Sequence, residues 1–163
     1  MTRDNDDGSL RGKADIYRTI AIERRRSMKL RDNERVLIEV IRNLDTKHKG
    51  LVVIVEGKRD AAVLQNLGLK APIVRTQSKL LRYQLIEQIV ARAGAKGQVL
   101  ILTDYDQAGE DICSYIEKAL ETTGVRTLKG VRIKIRKLMG NWRFIEELVA
   151  LFKRRDSPEN VSV

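Results

Sequence analysis

The spacing of apolar residues changes character at Gly50. Upstream, Val36, Leu37, Val40, Ile41 and Leu44 recur at the period of one helix face. They predict a helix over about 34–46, capped by Asp32 or Asn33. The stretch Lys13–Leu30 is polar and basic with a thin apolar set (Ile16, Ile20, Ile22), and predicts a separate, weaker helix. Downstream, short apolar runs alternate with amphipathic stretches. Leu51–Val55 is continuous and rich in β-branched residues, the pattern of a parallel strand covered on both faces. A helix carrying Ala61, Val63, Leu64 and Leu67 follows and stops near Gly68. Ile73–Arg75 is a short strand after Pro72, and a helix over about 79–93 puts Leu81, Leu85, Ile86, Ile89, Val90 and Ala93 on one side. Val99–Leu102 is a second buried strand. The helix predicted over about 109–122 presents Ile112, Tyr115, Ile116, Ala119 and Leu120. Val131–Arg136 alternates strictly, which predicts an edge strand with one buried face. A last helix carries Ile145, Leu148, Val149 and Phe152, with Trp142 and Phe144 anchoring it to the core.

Strands that alternate with helices imply right-handed crossovers and a mostly parallel sheet. The expected fold is therefore α/β and Rossmann-like, with a four-stranded, mostly parallel sheet flanked by helices over residues 50–153. A basic helical extension over 1–49, frayed at its first ten residues, precedes it, and a flexible tail over 154–163 follows.

Composition narrows the function classes. The 163 residues suit one domain with a buried core, and 42% hydrophobic with 33% charged residues describes a globular chain. No apolar run reaches the roughly 18–20 residues a bilayer requires, and MTRDNDDGSL lacks a signal-peptide core, so no membrane partner is expected. One cysteine, Cys113, and one histidine, His48, exclude a disulfide framework and a Cys/His zinc cluster. A cytoplasmic location is the simplest expectation; Cys113 reads as core and His48 as loop surface. Aromatic residues are too few and scattered for a base-stacking platform. The net charge of +10 is uneven, since residues 126–155 hold 10 basic and 2 acidic side chains. Such clustering suits a polyanion, because phosphate backbones reward grouped cations by counterion release.

In a parallel sheet, ligands bind beyond the carboxyl ends of the strands. The first buried strand runs into Glu56-Gly57-Lys58-Arg59-Asp60, and the second into Thr103-Asp104-Tyr105-Asp106-Gln107-Ala108-Gly109-Glu110-Asp111. If these strands are neighbours, Glu56, Asp104 and Asp106 converge. Three carboxylates at one point repel unless a cation joins them, and an all-oxygen set suits Mg²⁺, with Mn²⁺ an acceptable substitute. An EF-hand starting at Asp104 would need Glu at position twelve, where Tyr115 stands, so that reading fails. A P-loop fails too, because Val52 and Arg59 occupy positions that need Gly and Ser or Thr. An aspartyl-phosphatase of the haloacid-dehalogenase type places its Asp-x-Asp on the first strand, unlike this chain.

The VEGKRD and TDYDQAGED segments, in this order and each closing an apolar strand, resemble the Toprim domain. Topoisomerases, bacterial-type primases, overcoming-lysogenization-defect nucleases and the maturase ribonuclease of 5S ribosomal RNA share this module. The resemblance covers about residues 50–153 and is strongest to small stand-alone Toprim proteins of the archaeal and maturase-like groups. It implies a Mg²⁺-dependent phosphoryl-transfer site. Glu56 matches the family glutamate assigned acid/base work or metal contact, and Asp104 and Asp106 match the metal-binding pair. Asp60, Gly109 and Glu110 match positions that support those ligands. Ala108 departs from the topoisomerase pattern, which is acidic there, and the nuclease branch remains.

Each residue also has a plainer reading. Asp60 and Asp106 can serve as helix caps, and Glu110 and Asp111 can favour a helix N-terminus electrostatically. Lys58 and Arg59, beside Glu56, are candidates to hold phosphate, as are Arg75 and Lys79 after the second strand. Arg132, Lys134 and Arg136 form a one-sided basic stripe on the expected edge strand, where charge also blocks aggregation. The leading expectation is a Toprim nuclease on structured RNA or DNA. The alternatives are a non-catalytic nucleic-acid- or ribosome-binding module that retains the acidic pocket, and a small-molecule phosphatase or nucleotide enzyme. A homo-oligomer is compatible with each.

Overall fold

The computed structural model describes the backbone of residues 3–155 and the side chains of residues 12–22 and 32–152. The elements run α1 (Arg3–Arg42), α2 (Leu44–Lys47), β1 (Leu51–Val55), α3 (Lys58–Asn66), β2 (Ile73–Arg75) and α4 (Arg82–Ala93). They continue with β3 (Gln98–Ile101), α5 (Gln107–Leu120), β4 (Arg126–Thr127), α6 (Lys129–Leu138), a 3₁₀ turn (Ile145–Val149) and α7 (Ala150–Arg155). The expected tail at Pro158 lies outside the described residues.

The strands form one sheet in the order β2-β1-β3-β4, and every neighbouring pair is parallel. β1 is apolar throughout because both its faces are covered. Leu51, Val53 and Val55 enter the core layer shared with α1, α3, α6 and α7, while Val52 and Ile54 enter the layer shared with α4 and α5. β3 divides in the same way, Leu100 and Leu102 to one layer, Val99 and Ile101 to the other. The chain leaves β1 toward β2 on one side and returns to β3 on the other, so a topological switch point opens between β1 and β3.

Three expectations are corrected. The predicted break near Asp32 is absent: α1 runs through it to Arg42, with Asp32 and Asn33 exposed to water, where cap-forming residues cost a helix little. Leu37 and Ile41 on its C-terminal half are fully buried, and α2 contributes Leu44. The predicted edge strand over Val131–Arg136 is helix α6, and the edge is the two-residue β4. Leu128, Val131, Ile135, Leu138 and Met139 pack into the core at helical spacing, which overrides the local alternation and leaves Ile133 exposed. Phe144, expected as an anchor, is exposed, whereas Trp142 packs against the core. Cys113 is buried in the α4–α5 layer, as expected.

Candidate metal centre

Glu56 is the first residue after β1, and Asp104 lies three residues past β3. The register Ile54↔Ile101 brings both to the same carboxyl edge of adjacent strands. Two further bonds extend this edge, Thr76 N–H to Val55 O and Gln77 N–H to Glu56 O, each 2.8 Å. Carboxylate oxygens of Glu56, Asp60 and Asp104 all lie within 4.8 Å of one another. They face a cleft of about 440 Å³ that Gly57, Lys58, Arg59, Arg75, Gln77 and Glu146 also line.

Asp60, Asp104 and Asp106 are each tied down by a backbone amide. Asp60, buried in the first turn of α3, accepts from Gly57 N–H at 3.1 Å. Asp104 Oδ1 accepts from Ile145 N–H at 2.8 Å, at the start of the 3₁₀ turn. Asp106 is the cap of α5 and accepts from Gly109 N–H at 2.8 Å. It lies beside the cluster, outside the group of three, yet close enough for its charge to act on Glu56. Gly109 is required by close approach. A Cβ there would collide with the Asp104 carbonyl oxygen, and the Thr103 hydroxyl donates to Gly109 O at 2.8 Å.

Burial and the crowding of like charge show in the acidities. Glu56 is pushed up to about 8, first by burial, then by its hydrogen bond to Asp104 and the charges of Asp104, Asp106 and Asp60. Asp60 is also raised, chiefly by burial, against the lowering effect of the Gly57 N–H. A partly buried group of carboxylates, with Glu56 and Asp60 both raised, fits a hard divalent cation, which would offset their repulsion with all-oxygen ligation.

The basic candidates separate. Lys58, Arg59 and Arg75 are exposed and line the cleft, and Lys79 is exposed on the loop after β2. Arg59 pairs with Glu146 at 3.3 Å, a contact worth about 0–1 kcal/mol because both side chains are half or more in water. The expected stripe of Arg132, Lys134 and Arg136 does not exist as one surface. On a helix, Lys134 falls on a different face from the other two and is exposed. Arg136 donates to Gly140 O and Trp142 O at 2.8 and 3.1 Å. Arg132 is buried, 6% exposed, and pairs with Glu110 at 2.9 Å. Its expected role as a surface ligand for nucleic acid is therefore corrected.

Three participants were not foreseen in these places. Asp60 joins the acidic group directly, where the sequence pointed only to a supporting or capping role. Gln77 follows β2 at the ligand-binding edge, where the sequence pointed to Arg75 and Lys79. Glu146 arrives from the 3₁₀ turn and nothing near it in sequence announces it.

The sequence profile of the Toprim domain matches residues 51–138, from the start of β1 to the end of α6. This chain belongs to the Toprim family. Its relatives include a UPF0292 protein of Thermococcus onnurineus, 36% identical over 101 residues that cover 61% of this chain and 72% of that one. Another, from Thermococcus gammatolerans, is 32% identical over 124 residues covering 76% and 88%. A solved structure of an Aquifex aeolicus protein superposes with a TM-score of 0.55 at 25% identity, covering 67% of this chain and 94% of that one. The Toprim domain thus accounts for the parallel sheet and the paired acidic motifs together.

Proposed function

We propose that this Toprim protein hydrolyses phosphodiester bonds in nucleic acid with a divalent cation, Mg²⁺ by preference. The observation that carries the reading is the meeting of Glu56, Asp60 and Asp104 oxygens within 4.8 Å in a cleft whose rim bears Lys58, Arg59 and Arg75. Asp104, Glu56 and Asp60 would hold the ion, with Asp106 adding negative charge. The bound ion supplies charge neutralisation at the scissile phosphate.

The chain's own groups do the rest. Lys58 and Arg75 bind flanking phosphates and orient the backbone across the cleft. Glu56 orients an attacking water and accepts its proton at a carboxylate oxygen. The Gly57 and Ile145 amides keep Asp60 and Asp104 from rotating away.

The test incubates a 5S-precursor-like RNA and duplex DNA with and without Mg²⁺, beside Asp104→Asn. Cleavage should require the metal and fall about a hundredfold or more in the variant, the scale set by losing a group that stabilises transition-state charge. Metal-independent cleavage, or full activity in the variant, would refute the assignment. Salt-sensitive binding without any cleavage would favour the non-catalytic module.

A further inference from the structure

β4 pairs with β3 only at Gln98 and Val99, and its last ladder bond runs from Leu128 N–H to Val99 O. Carbonyls alternate sides along a strand, so those of Ile101 and Thr103 point toward the side where β4 has already ended. Buried carbonyls left without donors would carry the full cost of their lost hydration. The side chain of Arg132 fills this gap. Nη1 donates to Ile101 O at 3.0 Å and to Thr103 O at 2.9 Å. Nη2 donates to Asp104 O at 3.3 Å and to Glu110 Oε1 at 2.9 Å. The guanidinium stacks 4.3 Å from the Tyr105 ring centroid, and the Tyr105 hydroxyl donates back to Arg132 O at 2.9 Å.

One buried side chain therefore touches the backbone or side chain of five residues, all at or next to the second acidic motif. We infer that Arg132 is a positioning residue for the metal centre, its planar fork standing in for a missing strand and fixing the path that aims Asp104 into the cleft. This inference rests on the metal-dependent reading above. Lysine has a single rotatable ammonium and cannot bridge the two in-line carbonyls while also reaching Asp104 O and Glu110.

The experiment compares wild type, Arg132→Lys and Lys137→Met, the last removing an exposed charge on α6. Mn²⁺ affinity is read from the electron paramagnetic resonance of the free ion, and metal-free amide resonances of Asp104 to Gly109 are read by NMR. Arg132→Lys should lose about tenfold in Mn²⁺ affinity per folded molecule and shift those amides, with Lys137→Met unchanged in both. A folded Arg132→Lys with wild-type affinity and unmoved amides overturns the inference. If wild type binds no Mn²⁺, the metal reading fails instead, while the amide shifts still decide whether Arg132 shapes the turn. Should Arg132→Lys not fold, Tyr105→Phe deletes only the hydroxyl tether to Arg132 O. It should then weaken Mn²⁺ about threefold and shift the same amides, and no change in either would overturn the inference.

Discussion

Glu56 and Asp104 lie just past the carboxyl ends of neighbouring parallel strands, grouped with Asp60, and burial together with these neighbouring carboxylates raises the pKa of Glu56. Since the folded acidity of Glu56 is raised from 4.5 to about 8, its contribution to metal-free stability is complete below pH 4.5 and is lost as pH rises toward 8. Glu56→Gln should flatten that fall and unfold at higher urea than wild type at pH 8 in the presence of a chelator. Metal binding runs the other way, because the ion competes with the proton. Mn²⁺ affinity should rise between pH 6 and 8 and level off above it, with calorimetry in buffers of different ionisation enthalpy registering proton release. Gly109→Ala should be costly for a different reason. Its Cβ meets backbone, which cannot swing aside, so a loss of about 1–3 kcal/mol in chemical denaturation is expected.

At the level of elements, helical period decided more than any single residue. In α1, Leu37 is fully buried, whereas Ile16 and Tyr17 are 60% and 73% exposed. Leu37→Ala should cost about 2–5 kcal/mol and Ile16→Ala within about 0.5 kcal/mol, both by urea titration. α6 shows how a short window misleads. Six residues alternate perfectly, but the core-facing set from Leu128 to Met139 has helical spacing. Read as a strand, the segment displays three cations on one side. Read as a helix, it buries Arg132 behind the acidic motif and leaves Lys134 in water. Continuous apolar strands were more legible, because β1 and β3 must satisfy two core layers at once. The two-residue β4 left no pattern to read.

Across the whole molecule, charge is the remaining lever. The chain carries +10 overall, and cations at the cleft rim surround an acidic centre. Binding to RNA or duplex DNA should weaken by about tenfold or more between 50 and 200 mM salt, as counterion release requires. Fluorescence anisotropy at several salt concentrations reads this directly, and Arg75→Ala should reduce the slope by about one unit. Among the described residues no helix is long and apolar enough to cross a membrane.

Periodicity and two short motifs were enough to predict the alternation of strands and helices from β1 to α5, a mostly parallel sheet, and the edge at which Glu56 and Asp104 end up. These follow from local rules: apolar runs need two covered faces, and parallel strands all present their carboxyl ends together. The partners that the acidic residues take were decided only by folding. Asp60 enters the group because α3 turns back over β1, Glu146 because the 3₁₀ turn docks against α3, and Arg132 because β4 stops short of the carbonyls it covers. The long-range contacts among them span from 22 residues of chain, Glu110 to Arg132, to 87, Arg59 to Glu146. No local pattern encodes such a distance; it is set by which buried donors and acceptors the packed layers leave to be satisfied.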